Sequence, residues 1–254
     1  MCAVATAAEI ISFCDELLEI DSFEDYGPNG RQVPGAEQVS KVATGVSANL
    51  ETIRGAIGSG AQLILAHHGL FWGPLDRGLT VPLTERIRAL LGADAGLAAY
   101  HLPLDAHPEI GNNALLCEGL GLECGDAFGE AMGSPVGFVG TTSGVPIGEL
   151  ISRIAELLGR EPLVQGDGPA EVRTIGIVSG GAAGNLQEAA DLGLDAFLTG
   201  EPAERAMADA AENGMHFVAA GHYATETLAI RRLGDLVAER FGVDHEFVDV
   251  PNPV

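Results

Sequence analysis

The chain has 254 residues, 46% of them hydrophobic, with 35 glycines. That composition suits an α/β globule able to bury a core as one large domain or two small ones. The formal net charge is −23 and Lys41 is the single lysine, so no basic stripe exists to grip a nucleic-acid polymer or an anionic membrane.

Cys2, Cys14, Cys117 and Cys124 show no C-x-x-C spacing, which reads as reduced thiols, mostly buried. Residues 1–11 lack the basic start and apolar core of a secretory leader. No 18-residue apolar stretch is present. A cytoplasmic protein is expected.

An amphipathic helix is predicted over 6–20, with Ile10, Phe13, Cys14, Leu17 and Leu18 on one face. A loop rich in Gly, Pro and Asn covers 25–35. A strand at 39–46 and a helix at 49–57 follow. Residues 63–66, Leu-Ile-Leu-Ala, form a short buried strand that ends on His67 and His68. Beyond a loop with Gly69, Gly73 and Pro74, a helix is expected near 82–91, a strand at 96–100 and a helix at 109–120. In the second half strands are expected at 136–141, 174–179, 196–199, 216–220 and 246–250. Helices at 146–158, 185–192, 203–213 and 224–241 alternate with them. This βαβα rhythm predicts an α/β fold with mostly parallel, buried sheets.

The two halves resemble each other. Leu65-Ala66-His67-His68 falls on Leu198-Thr199-Gly200-Glu201, and Ala98-Ala99-Tyr100-His101 on Ala219-Ala220-Gly221-His222. Four residues later stand Asp105 and Glu226. The reading is two similar α/β repeats, 1–127 carrying His67, His68 and Asp105, and 128–254 carrying His222 and Glu226. The last strand is a candidate to pair with the first repeat.

Ligands collect at the carboxyl ends of strands in open α/β sheets, and that is where the histidines fall. Adjacent imidazoles at a strand end point in different directions, which is awkward for one metal ion and natural for two. His222 and Glu226 are spaced i, i+4 on a helix start, a common half-site for a divalent ion. Pro103 argues against a helix in His101-Leu102-Pro103-Leu104-Asp105, so a loop is expected to hold Asp105. His67, His68, Asp105, His222 and Glu226 are too few for two closed sites. They suffice for two open ones if carboxylates bridge. His101 is expected to orient a ligand or move a proton. Glu201 is read either as facing the metals from behind the ligands or as a carboxylate at a helix start. His107, His216 and His245 read as ordinary core or surface side chains. The Ser179–Asn185 loop, which lacks a lysine, reads as a tight turn rather than a phosphate cradle.

Several of these runs occur together in one known family. Asp25-Tyr26-Gly27-Pro28-Asn29-Gly30, His67-His68-Gly69-Leu70-Phe71, Tyr100-His101-Leu102-Pro103-Leu104-Asp105-Ala106, Thr199-Gly200-Glu201 and Gly221-His222-Tyr223-Ala224-Thr225-Glu226 keep that family's order. The chain thus resembles the dinuclear metal-binding GTP cyclohydrolase I type 2 homologues, the Nif-three-like proteins. The resemblance implies two α/β repeats with mixed sheets, a ring-shaped homohexamer and metal pairs facing an internal cavity. By motif position it implies His67, His68, Asp105, His222 and Glu226 as ligands. The large insertion of some members is absent, since 129–173 holds only about one βαβ unit. Leu102-Pro103 stands where many relatives have Thr-Asn, which changes the polarity of that segment.

The expected function is a hydrolase using two divalent ions per chain, from zinc, iron, manganese or nickel. Metal-bound water would attack a small, nucleotide-like substrate, with His101 and Glu201 as catalytic residues. Arg31 or Arg77 would offset the acidity of the chain toward a polyanion. Two alternatives share the ligand set: a non-catalytic metal-binding scaffold, and a metal-dependent phosphoesterase.

Overall fold

A computed structural model describes residues 5–73 and 78–254; Cys2, Pro74 and Arg77 lie outside them. The chain divides into two compact units, Met1–Leu104 with Ala229–Val250, and Asp105–Leu228 with Pro251–Val254. The expected 127/128 division falls inside a strand, Glu123–Ala131, and Asp105 belongs to the second unit.

In the first unit a five-stranded sheet runs in the order Asp244–Phe247, Lys41–Ser47, Leu63–His68, Gly96–Ala99, Gly30–Val33. The first three pairings are parallel and the last is antiparallel. Leu63–His68 is paired on both sides, with Leu65 opposite Thr44 and Ala98. Leu63, Ile64, Leu65 and Ala66 are all buried, so both faces of the strand are covered, which is why they read as an unbroken run. Ile53 and Ala56 of helix Leu50–Gly58 and Leu90 of helix Val81–Gly92 pack on Ile64 and Leu97. The Asn49 side chain caps the first of these helices by accepting from Thr52 N at 2.9 Å. Helix Ala7–Leu17 buries Ile10, Ile11 and Cys14. Burial pushes the Cys14 thiol up to about 12, with the Asp15 charge adding to it.

Three local expectations change. The loop over 25–35 contains strand Gly30–Val33, an edge strand bonded on one side only, with Pro28 and Pro34 just outside it, so Gly30 and the prolines break no central ladder. The histidines lie within their strand rather than after it. Leu102–Ala106 is a short helix despite Pro103. Proline is the second helical residue there, where no backbone donor is required of it.

The second unit carries a six-stranded sheet in the order Glu123–Ala131, Ser134–Pro146, Glu171–Ile177, Ala196–Thr199, His216–Ala219, Leu163–Gly166. The three strands from Glu171 to Ala219 are parallel, and the remaining pairings are antiparallel. Leu150 and Ile154 of helix Ile147–Leu158 pack with Val172, Ile175 and Leu198. The helix expected at 224–241 is two, His222–Thr225 and Thr227–Phe241, with Glu226 at the break.

The repeat survives in the topology. In each unit three parallel strands in sequential order are followed by an antiparallel fourth, which precedes them in the chain. The backbone joins match with a shift of one residue from the sequence alignment: Ala66 pairs with Ala99 and Thr199 with Ala219, so Tyr100 N donates to Ala66 O at 2.9 Å and Ala220 N to Thr199 O at 2.8 Å. The fold is α/β with mixed sheets, as expected; the five-stranded sheet is mostly parallel, whereas the six-stranded one has two parallel pairings and three antiparallel ones. Among the described residues no helix is long and apolar enough to cross a membrane.

Candidate metal centre

In the first unit three imidazoles converge at the carboxyl ends of Leu63–His68 and Gly96–Ala99. The ring centroids of His67 and His68 are 4.7 Å apart, and those of His67 and His101 are 5.1 Å apart. Donor nitrogens of all three lie within 4.8 Å of one another. His67 and His68 are the last two residues of their strand, and their rings remain close despite the alternation of side chains along it. His67 is fully buried, and its Nδ1–H donates to Tyr100 O at 2.9 Å. A carbonyl can only accept, so Nε2 carries the lone pair a cation needs. His68 Nδ1 lies 3.1 Å from Ser47 Oγ.

His101 is held by the Asp25–Asn29 loop. Its Nδ1–H donates to Asp25 Oδ1 at 2.7 Å, and its backbone N to Asn29 Oδ1 at 2.8 Å. Asp25 also accepts from Leu102 N at 2.9 Å, Asn29 Nδ2 at 2.9 Å and Tyr26 N at 2.6 Å. Its side chain is 2% exposed. Burial alone would raise this carboxyl; the His101 hydrogen bond and charge, with the hydrogen bonds from Asn29 and Leu102, outweigh it and hold Asp25 below the usual range. Tyr100 is anchored behind them by its hydroxyl, which donates to Asp15 Oδ1 at 2.8 Å.

In the second unit Asp105, His222 and Glu226 form a carboxylate–imidazole set. Asp105 Oδ1 accepts from Asn112 Nδ2 at 2.8 Å and Ser179 Oγ at 3.0 Å. A carboxylate oxygen of Asp105 lies within 4.8 Å of one of Glu226. His222 stands between two carboxylates, with Nδ1 2.6 Å from Glu201 Oε1 and Nε2 3.2 Å from Glu226 Oε2. Burial opposes a charge on this ring, but the Glu226 contact and then Glu201 overcome it and raise the imidazole to about 9. The two carboxylates thus favour positive charge at this point, and a metal ion binding through the ring would have to displace that proton.

Backbone geometry makes room for these carboxylates. Gly180 has φ +67°, and a Cβ there would stand 2.2 Å from Glu226 Oε1. Gly180 N donates to Thr225 Oγ1 at 3.1 Å. Gly221, just before His222, has φ +105° and would drive a Cβ to 2.5 Å from the Arg160 guanidinium. Both turns need glycine.

His67, His68 and His101 thus come together in one unit, and Asp105, His222, Glu226 and Glu201 in the other. His216 and His245 serve structure, meeting Pro169 O at 3.0 Å and Thr44 Oγ1 at 2.8 Å. Asp25, Asn112, Ser179 and Trp72 belong to the site without a residue pattern that announces it. Their signal in the chain is only proximity to a motif. Oxygen and nitrogen donors of this mixture suit a divalent transition ion.

Residues 5–253 match the family described as Duf34/NIF3 (NGG1p interacting factor 3). The chain belongs to the Duf34/NIF3 family. Relatives named GTP cyclohydrolase 1 type 2 homolog include one from Deinococcus radiodurans, 39% identical over 96% of this chain and 92% of that protein. Another, from Escherichia coli, is 42% identical over 96% and 98%. The Duf34/NIF3 fold is equally plain in solved structures. Protein ybgI, described as of unknown function, aligns with TM-score 0.92 and 40% identity over 98% of this chain and all of that one. TTHA1606 from Thermus thermophilus aligns with TM-score 0.89 and 33% identity over 98% and 100%. HcgD from Methanocaldococcus jannaschii, at 22% identity and TM-score 0.86, shares the fold.

Proposed function

We propose that this Duf34/NIF3 chain is a metal-dependent hydrolase in which His67, His68, Asp105, His222 and Glu226 hold two divalent ions. The observation that carries the reading is the convergence of the His67, His68 and His101 nitrogens in one unit and, in the other, a Glu226 carboxylate close to both His222 and Asp105, with partners that orient these side chains. Bound ions would supply a water nucleophilic near neutral pH and polarise the bond attacked.

The protein's own contribution is positioning and proton movement. Asp25 accepts a hydrogen bond from Nδ1–H of His101, so Nε2 is the nitrogen presented for proton transfer. Glu201 fixes the His222 ring through Nδ1, and Tyr100 O fixes that of His67. We further propose a small, nucleotide-like substrate and a homohexameric assembly, on the strength of the relatives' names and the sequence motifs.

The deciding experiment measures metal per chain in protein purified without a chelating tag, then turnover of nucleotides and phosphoesters. About two ions per chain are expected. His68→Ala and Glu226→Ala should each lose metal while keeping the far-ultraviolet spectrum of the fold. Full occupancy in both variants would overturn the ligand set. Metal without turnover would favour a binding scaffold.

A further inference from the structure

Beside the three imidazoles stand two aromatic side chains that nothing above has used. Trp72 is 46% exposed and Tyr26 is 48% exposed. Neither is a loosely hanging surface ring. Trp72 Nε1–H donates to Gly69 O at 3.1 Å. The indole meets His101 edge to face, at 5.0 Å and 85°, and His68 at 5.6 Å. Tyr26 lies 6.1 Å from the His101 ring. The two loops are tied together, since Gly73 N donates to Tyr26 O at 2.7 Å. Gly27 makes the close approach possible: a Cβ there would lie 2.3 Å from Phe71 O.

A half-exposed tryptophan costs hydration free energy unless something covers it, and here its orientation is fixed in advance. Preorganised aromatic faces of this kind bind rings with little ordering cost. The crevice next to it, lined by Asn29, His67, Trp72 and His101, has a volume of only about 10 Å³. It admits a water rather than a ring. A planar ligand must therefore lie across the mouth, against the aromatic faces, with its edge toward the imidazoles. The charge of −23 gives no help to a polyanion, so the ring is the better handle for recognition.

We propose that Trp72 and Tyr26 form a stacking rim that binds a planar heteroaromatic ring, of nucleobase type, over the His67–His68–His101 cluster. The proposal rests on the metal-site reading only for what would be done to the ligand there; binding of the ring needs no metal.

Trp72 is the only tryptophan in the chain, so emission excited selectively at tryptophan reports this position alone. Full-length protein is titrated with guanosine, ribose and tripolyphosphate, once loaded with zinc and once after chelation. Guanosine should change the emission saturably in both forms, and ribose and tripolyphosphate should not. By equilibrium dialysis, Trp72→Ala should weaken guanosine binding roughly 5- to 150-fold, the range of one base–aromatic stack. Trp72→Phe should retain most of the affinity, and Tyr26→Ala should lose less than Trp72→Ala. Emission unchanged by guanosine in both forms overturns the proposal, as does full affinity in Trp72→Ala. A Trp72→Ala variant that changes sedimentation and not guanosine affinity also overturns it, and assigns the face to a subunit contact. Quenching in a protein that takes up no zinc upholds the rim and sinks the metal centre; zinc uptake without quenching does the reverse.

Discussion

Asp25 is the residue on which most local order depends. One carboxylate serves His101 Nδ1 and three further donors. Asp25→Asn keeps the shape but replaces an acceptor oxygen by a donor amide, leaving buried donors without an acceptor. A loss of about 1–3 kcal/mol is expected in urea unfolding. If the midpoint does not move, Asp25 is not holding the loop. Gly180 makes the converse case, a site residue with no side chain. Gly180→Ala puts a methyl where Glu226 Oε1 stands and forces an L residue to φ +67°. Displacing a ligand through its surroundings typically costs about 10- to 100-fold in metal affinity. Isothermal titration of zinc into chelated protein measures it, and unchanged affinity would show that Glu226 does not ligate.

At the scale of elements, helix Ala7–Leu17 carries its own pH dependence. Glu9 Oε2 accepts from Thr6 N at 2.9 Å and Thr6 Oγ1 at 2.7 Å, while Glu9 N donates to Thr6 Oγ1 at 3.2 Å. The Thr6 side-chain and backbone hydrogen bonds lower the Glu9 carboxyl. A carboxyl lowered by folding stabilises the fold above its unfolded pKa, about 4.3, and the contribution is lost as pH falls through the lower folded value. The gap in urea midpoint between wild type and Glu9→Ala should thus be open at neutral pH and shut in acid below the folded pKa. A gap that persists there would mean the cap does not depend on ionised Glu9. The same scale shows what a sequence can disclose. Leu63–Ala66 was legible because a strand buried on both faces is apolar throughout. Gly30–Val33 and Leu163–Gly166 were not, because edge strands need no such pattern. Glu123–Ala131 is mostly exposed and bulged, so it shows no alternation. The ligand candidates were legible as residue types at strand ends. Their partners were not, because Asn112, Asn113 and Ser179 reach the Asp105 segment through side-chain bonds that no local spacing encodes.

For the whole molecule, the decisive feature is that the first unit is completed by residues far along the chain. Helix Thr227–Phe241 buries Ile230, Leu233 and Val237. Phe241 packs edge-on against Phe13 at 5.7 Å, and the Arg231 guanidinium lies 3.5 Å above the Phe247 ring. Strand Asp244–Phe247 then covers the open edge of Lys41–Ser47, and Val248 N donates to Thr44 O at 2.8 Å. Each buried aliphatic side chain contributes about 1.5–3 kcal/mol. Three of them alone rival the roughly 5–15 kcal/mol by which a domain is stable, before the unpaired strand edge is counted. A chain ending at residue 228 should therefore lose the cooperative melting of its first unit, while the second unit keeps its sheet and the hydrogen bonds around Asp105. Hydrogen exchange resolves the two: amides of Leu63–His68 should exchange freely in the truncated chain, and those of Ala196–Thr199 should stay protected. Equal protection of both strands would show that the first unit folds without its C-terminal closure. Because His67 and His68 sit on the first of these strands, the truncated chain should also take up less metal than the full one, even with Asp105, His222 and Glu226 in place.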